Sequence, residues 1–423
     1  MNVSITILTI GAIVFLAHWF SGIFDRKGIP DVLLLMFVGI VLGPLLGLVK
    51  PEDFGIAGPM FTSLTLVIIL FESGIGLNIN ELKKSFGGSL TLTMVNFIAT
   101  LVAAALLSYF ILGFSLLESL ILGATIGGTS SAVVIPMVRQ IAIHEGPKTY
   151  LILESALSDV LCIVFALAFI EGITGGEVQP GLIIGKIISS FVLASIVGIL
   201  AALTWAFLLN RMRSFKNSIF TTPAFVFIVY GIAELLGYSG AISALVFGII
   251  LANVEQFRGT FLKKYLPLNS VSLNDTEVVF FSEIVFLLKT FFFVYIGMSI
   301  RFDNIWFLGI GLVFVAFLYA LRILVVRFST GNGIQLADKI TMSVMIPKGL
   351  AAAVLAGIPL QKGVANGQII QDLTYSIILF SIIITSVLIP LLSRYKRLHG
   401  LYGWFFRVRL INVKGKASST NGS

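Results

Sequence analysis

Charge is what this chain has least of. Only 11% of its 423 residues are Asp, Glu, Lys or Arg, where a soluble globular domain carries about 25%. Hydrophobic residues make up 57%. So little charge cannot cover a soluble surface, and lipid is then the solvent. The single cysteine, Cys162, excludes an intrachain disulfide and says nothing of redox compartment. The three histidines, His18, His144 and His399, stand far apart and lack metal-ligand spacing. No Ser-His-Asp set or metal cluster stands out, so the expectation is a protein that is not an enzyme and needs no cofactor. Positive charge is in excess, 28 Lys and Arg against 20 Asp and Glu. Nucleic acid is not the partner this implies, because the basic residues sit in short loops rather than on one solvated face.

What the chain has is a succession of apolar runs. A bilayer core takes about 20 apolar residues per helix. On that measure there are about thirteen spans, centred near residues 13, 39, 68, 100, 128, 160, 195, 228, 246, 290, 315, 348 and 382. The chain starts directly on the first of them without a small-residue cleavage site, which reads as a retained helix. Arg26, Lys27, Lys83, Lys84, Arg139, Lys148, Arg211 and the basic residues of the later odd-numbered loops fall on one side, together with the tail. The even-numbered loops hold only Lys50, Arg301 and Lys362. The positive-inside rule therefore puts the N-terminus outside and the C-terminus in the cytoplasm. The longest loop, about 254–278, is too short for a domain, so residues 1–400 read as one transmembrane unit and 401–423 as a basic cytoplasmic tail. Short loops and no targeting segment fit the cell (inner) membrane of a prokaryote.

Two spans look broken. Span 5 runs Gly123-Ala-Thr-Ile-Gly127-Gly128-Thr129-Ser130-Ser131 and reaches Pro136; span 12 holds Ile346-Pro347-Lys348-Gly349 and reaches Pro359. Freed backbone groups in a membrane are tolerated only where they line a cavity or meet protein. A matched pair of interrupted helices points to a transporter site built from inverted repeats. For Gly39, Gly43 and Gly248 the expectation is close helix packing instead.

Charges inside spans are the second signal, because each costs at least about 2.5–3.5 kcal/mol at a helix centre. They are Glu72, Glu154, Asp159, Arg322 and Lys348, with Lys289 and Glu283 in span 10. Ser155 and Asp159 are four apart and share a helix face, whereas Glu154 and Asp159 lie about 140° apart and meet different neighbours. One carboxylate can then hold a fixed countercharge, best supplied by Arg322 as a bidentate fork. The other can face a hydrated cavity. Burial there disfavours the charged form of Asp159, so it takes up a proton or a hard cation, but not both. Ser155, Thr129, Ser130 and loosened carbonyls of span 5 can supply neutral oxygens. Lys348 can offset a half-helix C-terminus or compensate the empty Asp159. The alternative for Asp159 is a structural pair with Lys289 or Lys348.

These motifs resemble the monovalent cation/proton antiporter superfamily, closest to its sodium/proton exchanger (NhaP-like) branch. The resemblance covers almost the whole chain. It runs from Ile29-Pro30 through Gly39 to Gly43-Pro44, Phe71-Glu72-Ser-Gly74 to Leu77, and Glu154-Ser155-Ala-Leu-Ser158-Asp159, the most specific. Ser239 to Gly248 and Phe292 to Gly297 are weaker matches. The resemblance implies an all-α homodimer in which a core, here about 87–175 and 304–398, moves like an elevator against a scaffold, about 1–80 and 181–300. It implies that Asp159 carries cation and proton in turn, that Glu154 pairs with Arg322, and that Thr129 and Ser155 offer oxygens to the ion. The branch usually has Asn where this chain has Ser158, and Asp where it has Ser130. The second carboxylate is therefore missing, which leaves Na+ and K+ both open and suggests electroneutral exchange. A cation channel or an organic-anion carrier built on the same charges are the competing readings.

Overall fold

The computed structural model describes residues 3–27, 29–49, 51–54, 57–77, 79–175, 180–212, 214, 218–257, 273–302, 305–331 and 333–394. Part of the loop at 254–278 and all of the tail at 401–423 lie outside the described residues. Among those described the regular structure is helical throughout. In chain order the helices are α1 (Val3–Lys27), α2 (Asp31–Ile40, continued by a π turn to Leu45), α3 (Ala57–Ile75), α4 (Ile79–Leu107) and α5 (Leu116–Thr125). Then come α6 (Ser131–Gln140), α7 (Glu145–Thr174), α8 (Pro180–Met212), α9 (Thr221–Leu235), α10 (Gly240–Ala252) and the short α11 (Val254–Phe257). The last are α12 (Asp275–Ser299), α13 (Ile305–Ser329), α14 (Leu336–Val344), α15 (Leu350–Gln361) and α16 (Gly367–Arg394).

Seven of these helices are long and apolar enough to cross a membrane, and six shorter apolar ones accompany them. Polarity is arranged inside out. Phe15, Trp19, Phe110, Ile228, Leu235 and Trp306 are exposed, whereas Glu154, Arg322 and Lys348 are buried. That arrangement is stable only against lipid. The chain is a multi-pass membrane protein.

Helices pack in two groups. In one, α4, α5 and α7 lie against one another, and α13 packs on α4, α14 and α16, with α15 on α16. In the other, α10 lies on α3, α8 and α9, and α12 lies on α2. Small residues bring the second group together, since bilayer helices gain little from burying apolar side chains and much from close backbone approach. Gly248 of α10 sits on Gly74 of α3; a Cβ at Gly248 would stand 3.1 Å from Ile75 N and 3.2 Å from the Gly74 Cα. Gly297 of α12 faces Gly39 of α2 in the same way, at 3.0 Å. Gly248→Val is expected to destabilise the fold by about 1–3 kcal/mol, the usual cost of overpacking. The measurement is the melting temperature in detergent, with Gly231→Ala as control. Gly231 on α9 has nothing within 4 Å of a new Cβ, so a drop for the control alone contradicts the packing argument.

Candidate functional site

The polar centre lies where two non-helical intervals meet, residues 126–130 between α5 and α6 and residues 345–349 between α14 and α15. Gly127 and Gly128 follow α5, and Pro347 and Gly349 flank Lys348; none of these holds a helix well. The freed backbone groups find partners in the opposite interval or in a neighbouring helix. Ser130 N donates to the Pro347 carbonyl at 2.7 Å. Thr129 N donates to Ser158 Oγ of α7 at 3.0 Å. Lys348 N donates to Ser381 Oγ of α16 at 2.9 Å. The Lys348 ammonium donates to the Gly128 carbonyl at 2.8 Å.

The two carboxylates in the middle of α7, Glu154 and Asp159, have different surroundings. Glu154 is wholly buried and holds the Arg322 guanidinium through both oxygens, at 2.5 and 2.6 Å. Arg322 Nε also donates to the Met342 carbonyl near the end of α14, at 3.1 Å. Asp159, one and a half turns along, is only partly buried, and its Oδ2 accepts from Ser131 Oγ at 3.1 Å. The C-terminal ends of α14 and α5 are thus met by a cation, α14 by Arg322 and the residues after α5 by Lys348. Such placement offsets the partial negative charge of helix C-termini.

The remaining expected site residues are distributed around this centre. The Ser155 hydroxyl donates to the Ile152 carbonyl at 2.8 Å, and the Ser158 hydroxyl to the Ser155 carbonyl at 3.2 Å. Ser130 Oγ is buried without a hydrogen-bond partner. It lies where a Cβ on Gly349 would stand. Thr129 is buried at the break. Glu72 on α3 is half-buried, within electrostatic range of Lys289. Glu283 is exposed. The alternative that Asp159 makes a structural pair with Lys289 or Lys348 does not hold: Lys289 is 2.9 Å from Asp31 Oδ2, joining α12 to the start of α2, and Lys348 meets the Gly128 carbonyl.

Three features were not anticipated from the sequence. Ser131, rather than Ser130, reaches Asp159. Asp31 partners Lys289; an acid opening a span beside Pro30 was the available signal. The third is a pair of matching ties. Glu118, third residue of α5, accepts the N–H and the side-chain amide of Asn366, just before α16, at 3.2 and 2.9 Å. Asp338, third residue of α14, accepts from the N–H of His144, just before α7, at 3.4 Å, and lies 2.8 Å from its Nδ1. Each carboxylate thus anchors the start of a short helix to the residue that opens the helix carrying the next polar elements.

The family description "Sodium/hydrogen exchanger, transmembrane" matches residues 11–394. The chain is similar to the Na(+)/H(+)-K(+) antiporter GerN of Bacillus cereus, with 24% identity over 379 residues, 87% of this chain and 90% of that protein. It is similar to the K(+)/H(+) antiporter NhaP2 of Shewanella sp. (strain MR-4), with 23% identity over 376 residues, 86% of this chain but 62% of that longer protein. In fold it resembles the sodium proton antiporter MjNhaP1 from Methanocaldococcus jannaschii at pH 8, with a TM-score of 0.75 and 21% identity over 92% of this chain and 100% of that one.

Proposed function

The chain belongs to the sodium/hydrogen exchanger family, and from that premise we propose that it is a secondary antiporter, exchanging Na+ or K+ for H+ by competition at Asp159. The observation that carries this reading is the unequal partnering of Glu154 and Asp159, the two carboxylates in the middle of α7. Arg322 occupies Glu154, while the partly exposed Asp159 has one hydroxyl partner and no ion pair among the described residues. A hard cation requires oxygen ligands and a charge to meet, and of Glu154 and Asp159 it is Asp159 that is left to offer them.

Charge balance supports one-for-one exchange. With Lys348 protonated, Glu154 and Asp159 balance Arg322 and Lys348 when Asp159 is ionised and empty. Binding a proton or a monovalent cation adds the same single charge. The two loaded states are electrically alike, so whatever barrier the membrane poses to one it poses to the other. The empty, ionised state differs from both by one charge.

The same reading extends to architecture. Thirteen spans with the N-terminus outside agree with the charge asymmetry of the loops. Inverted repeats are supported by the matching ties at Glu118 and Asp338 and by a cation at the ends of α5 and α14. An elevator motion of core against scaffold, in a homodimer of the cell (inner) membrane, is supported by the two packing groups and by the resemblance of the motifs. In this reading Thr129, Ser155, Ser158 and Ser130 are the neutral oxygens on which a cation at Asp159 draws, and Lys348 and Glu72 are supporting charges.

Liposomes holding the purified protein and a pH gradient test the function. Addition of Na+ or K+ is expected to dissipate the gradient, at a rate unchanged by an imposed membrane potential. Cation flux without proton movement would make the protein a channel. A gradient that responds to organic anions and not to Na+, K+ or Li+ would make it an anion carrier.

A further inference from the structure

Ser131 opens α6, and its hydroxyl donates to Asp159 Oδ2 at 3.1 Å. Of the neighbouring hydroxyls, the two on α7 are committed elsewhere. Ser155 and Ser158 donate to backbone carbonyls of their own helix, and Ser158 also accepts the Thr129 N–H. Ser130 Oγ has no hydrogen-bond partner and is packed against Gly349 rather than bonded to Asp159. Ser131 is therefore the hydroxyl, among the described residues, that addresses the carboxylate directly. It also places Asp159 beside the first turn of α6, where unpaired N–H groups and the helix dipole favour negative charge.

We propose that Ser131 is a positioning residue for exchange, setting how strongly Asp159 prefers the transported monovalent cation over the proton. The proposal rests on the functional reading above. A serine hydroxyl is both donor and acceptor and rotates freely. Toward the empty, ionised carboxylate it donates, as observed. Toward a cation bound at the carboxylate it can turn a lone pair inward and add one neutral oxygen to the site. Toward the protonated carboxyl it makes only an ordinary neutral bond, weaker than a bond to a charge. The hydroxyl thus favours both ionised states over the protonated one. The titratable group in electrostatic range of Asp159 is Cys162 on α7, which also feels Lys348 at the α14–α15 break; Lys348 in turn feels the Glu154–Arg322 pair between α7 and α13.

The test is the pH profile of Na+- and K+-driven proton exchange in liposomes, for wild type, Ser131→Ala, Ser131→Cys and Ser131→Thr. Removing the donor is expected to move the acid limb of the profile to higher pH by about one unit, a tenfold change in proton competition. At acid pH the cation concentration for half-maximal exchange rises correspondingly. Ser131→Cys, with its weak S–H donor and similar volume, is expected to shift the same way, and it covers the case in which the alanine variant does not fold. Ser131→Thr keeps the hydroxyl and is expected to restore the wild-type limb. Profiles of Ala or Cys variants that superimpose on wild type overturn the proposal, as does a threonine variant that shifts as far as alanine. If the wild type itself shows no cation-driven proton movement, the functional reading falls. If the wild type exchanges and Asp159→Asn is inert while the Ser131 profiles coincide, this inference alone falls.

Discussion

Liposomes carrying Asp159→Asn are expected to keep their pH gradient when Na+ or K+ is added, indistinguishably from liposomes without protein. The substitution is close to isosteric, so packing along α7 is retained, and the amide oxygen can still accept from Ser131 Oγ. What disappears is the charge. A cation entering the variant site would meet Arg322 and Lys348 with only Glu154 to balance them, and Glu154 is already held by both guanidinium nitrogens. The amide also cannot take up and release a proton in the working pH range. Both ligands of the exchange lose their site together, which is why the expected effect is complete loss rather than a raised half-saturation. Melting temperature should stay near wild type, because the partly exposed Asp159 makes one side-chain bond among the described residues. Asp159→Glu restores the charge but moves it by about one methylene, and partial exchange with weakened cation affinity is expected. Exchange at the wild-type rate by Asp159→Asn would remove Asp159 from the site.

How far such a site is legible from the sequence depends on which physical rule governs each contact. The division between Glu154 and Asp159 follows from helix periodicity, and Arg322 follows from residue type, because an arginine inside an apolar run needs a carboxylate. The breaks are marked by Gly127, Gly128, Pro347 and Gly349. Beyond the helix ends periodicity no longer applies. Ser130 is in an extended conformation with φ −72° and ψ 113°, and α6 begins at the next residue. Two adjacent hydroxyls therefore point to different places, and residue type alone does not say which meets Asp159. The same limit hides Asp31. Its partner Lys289 is 258 residues away, and only the packing of α2 on α12 brings them together. Lys348 shows a third case, in which two roles compatible with its charge were separated only by the position of the Gly128 carbonyl.

The other large effect is expected on stability, from Glu154→Ala. Glu154 and Arg322 are both buried, with 0% and 1% of the residue exposed. Deleting one member of such a pair strands the other charge in a medium that cannot solvate it, at a cost of about 3–5 kcal/mol. Arg322 would retain only its Nε bond to the Met342 carbonyl, and an arginine cannot shed its proton to escape. The damage should spread, because Arg322 joins α13 to α7 and to the end of α14, so the interval 345–349 that carries Lys348 loses its anchor. The expected result is a protein that melts much earlier in detergent or fails to accumulate in the membrane. Replacing both partners, with Glu154→Leu and Arg322→Met, removes the stranded charge along with the pair, and buried ion pairs exchanged for apolar residues of similar size are often neutral. The double variant is therefore expected to melt well above Glu154→Ala. Its exchange should nevertheless be impaired, since α14 loses the cation at its C-terminus. A Glu154→Ala protein as stable and active as wild type would contradict this reading of the pair, and a double variant no more stable than the single one would show that packing, rather than the uncompensated charge, carries the cost.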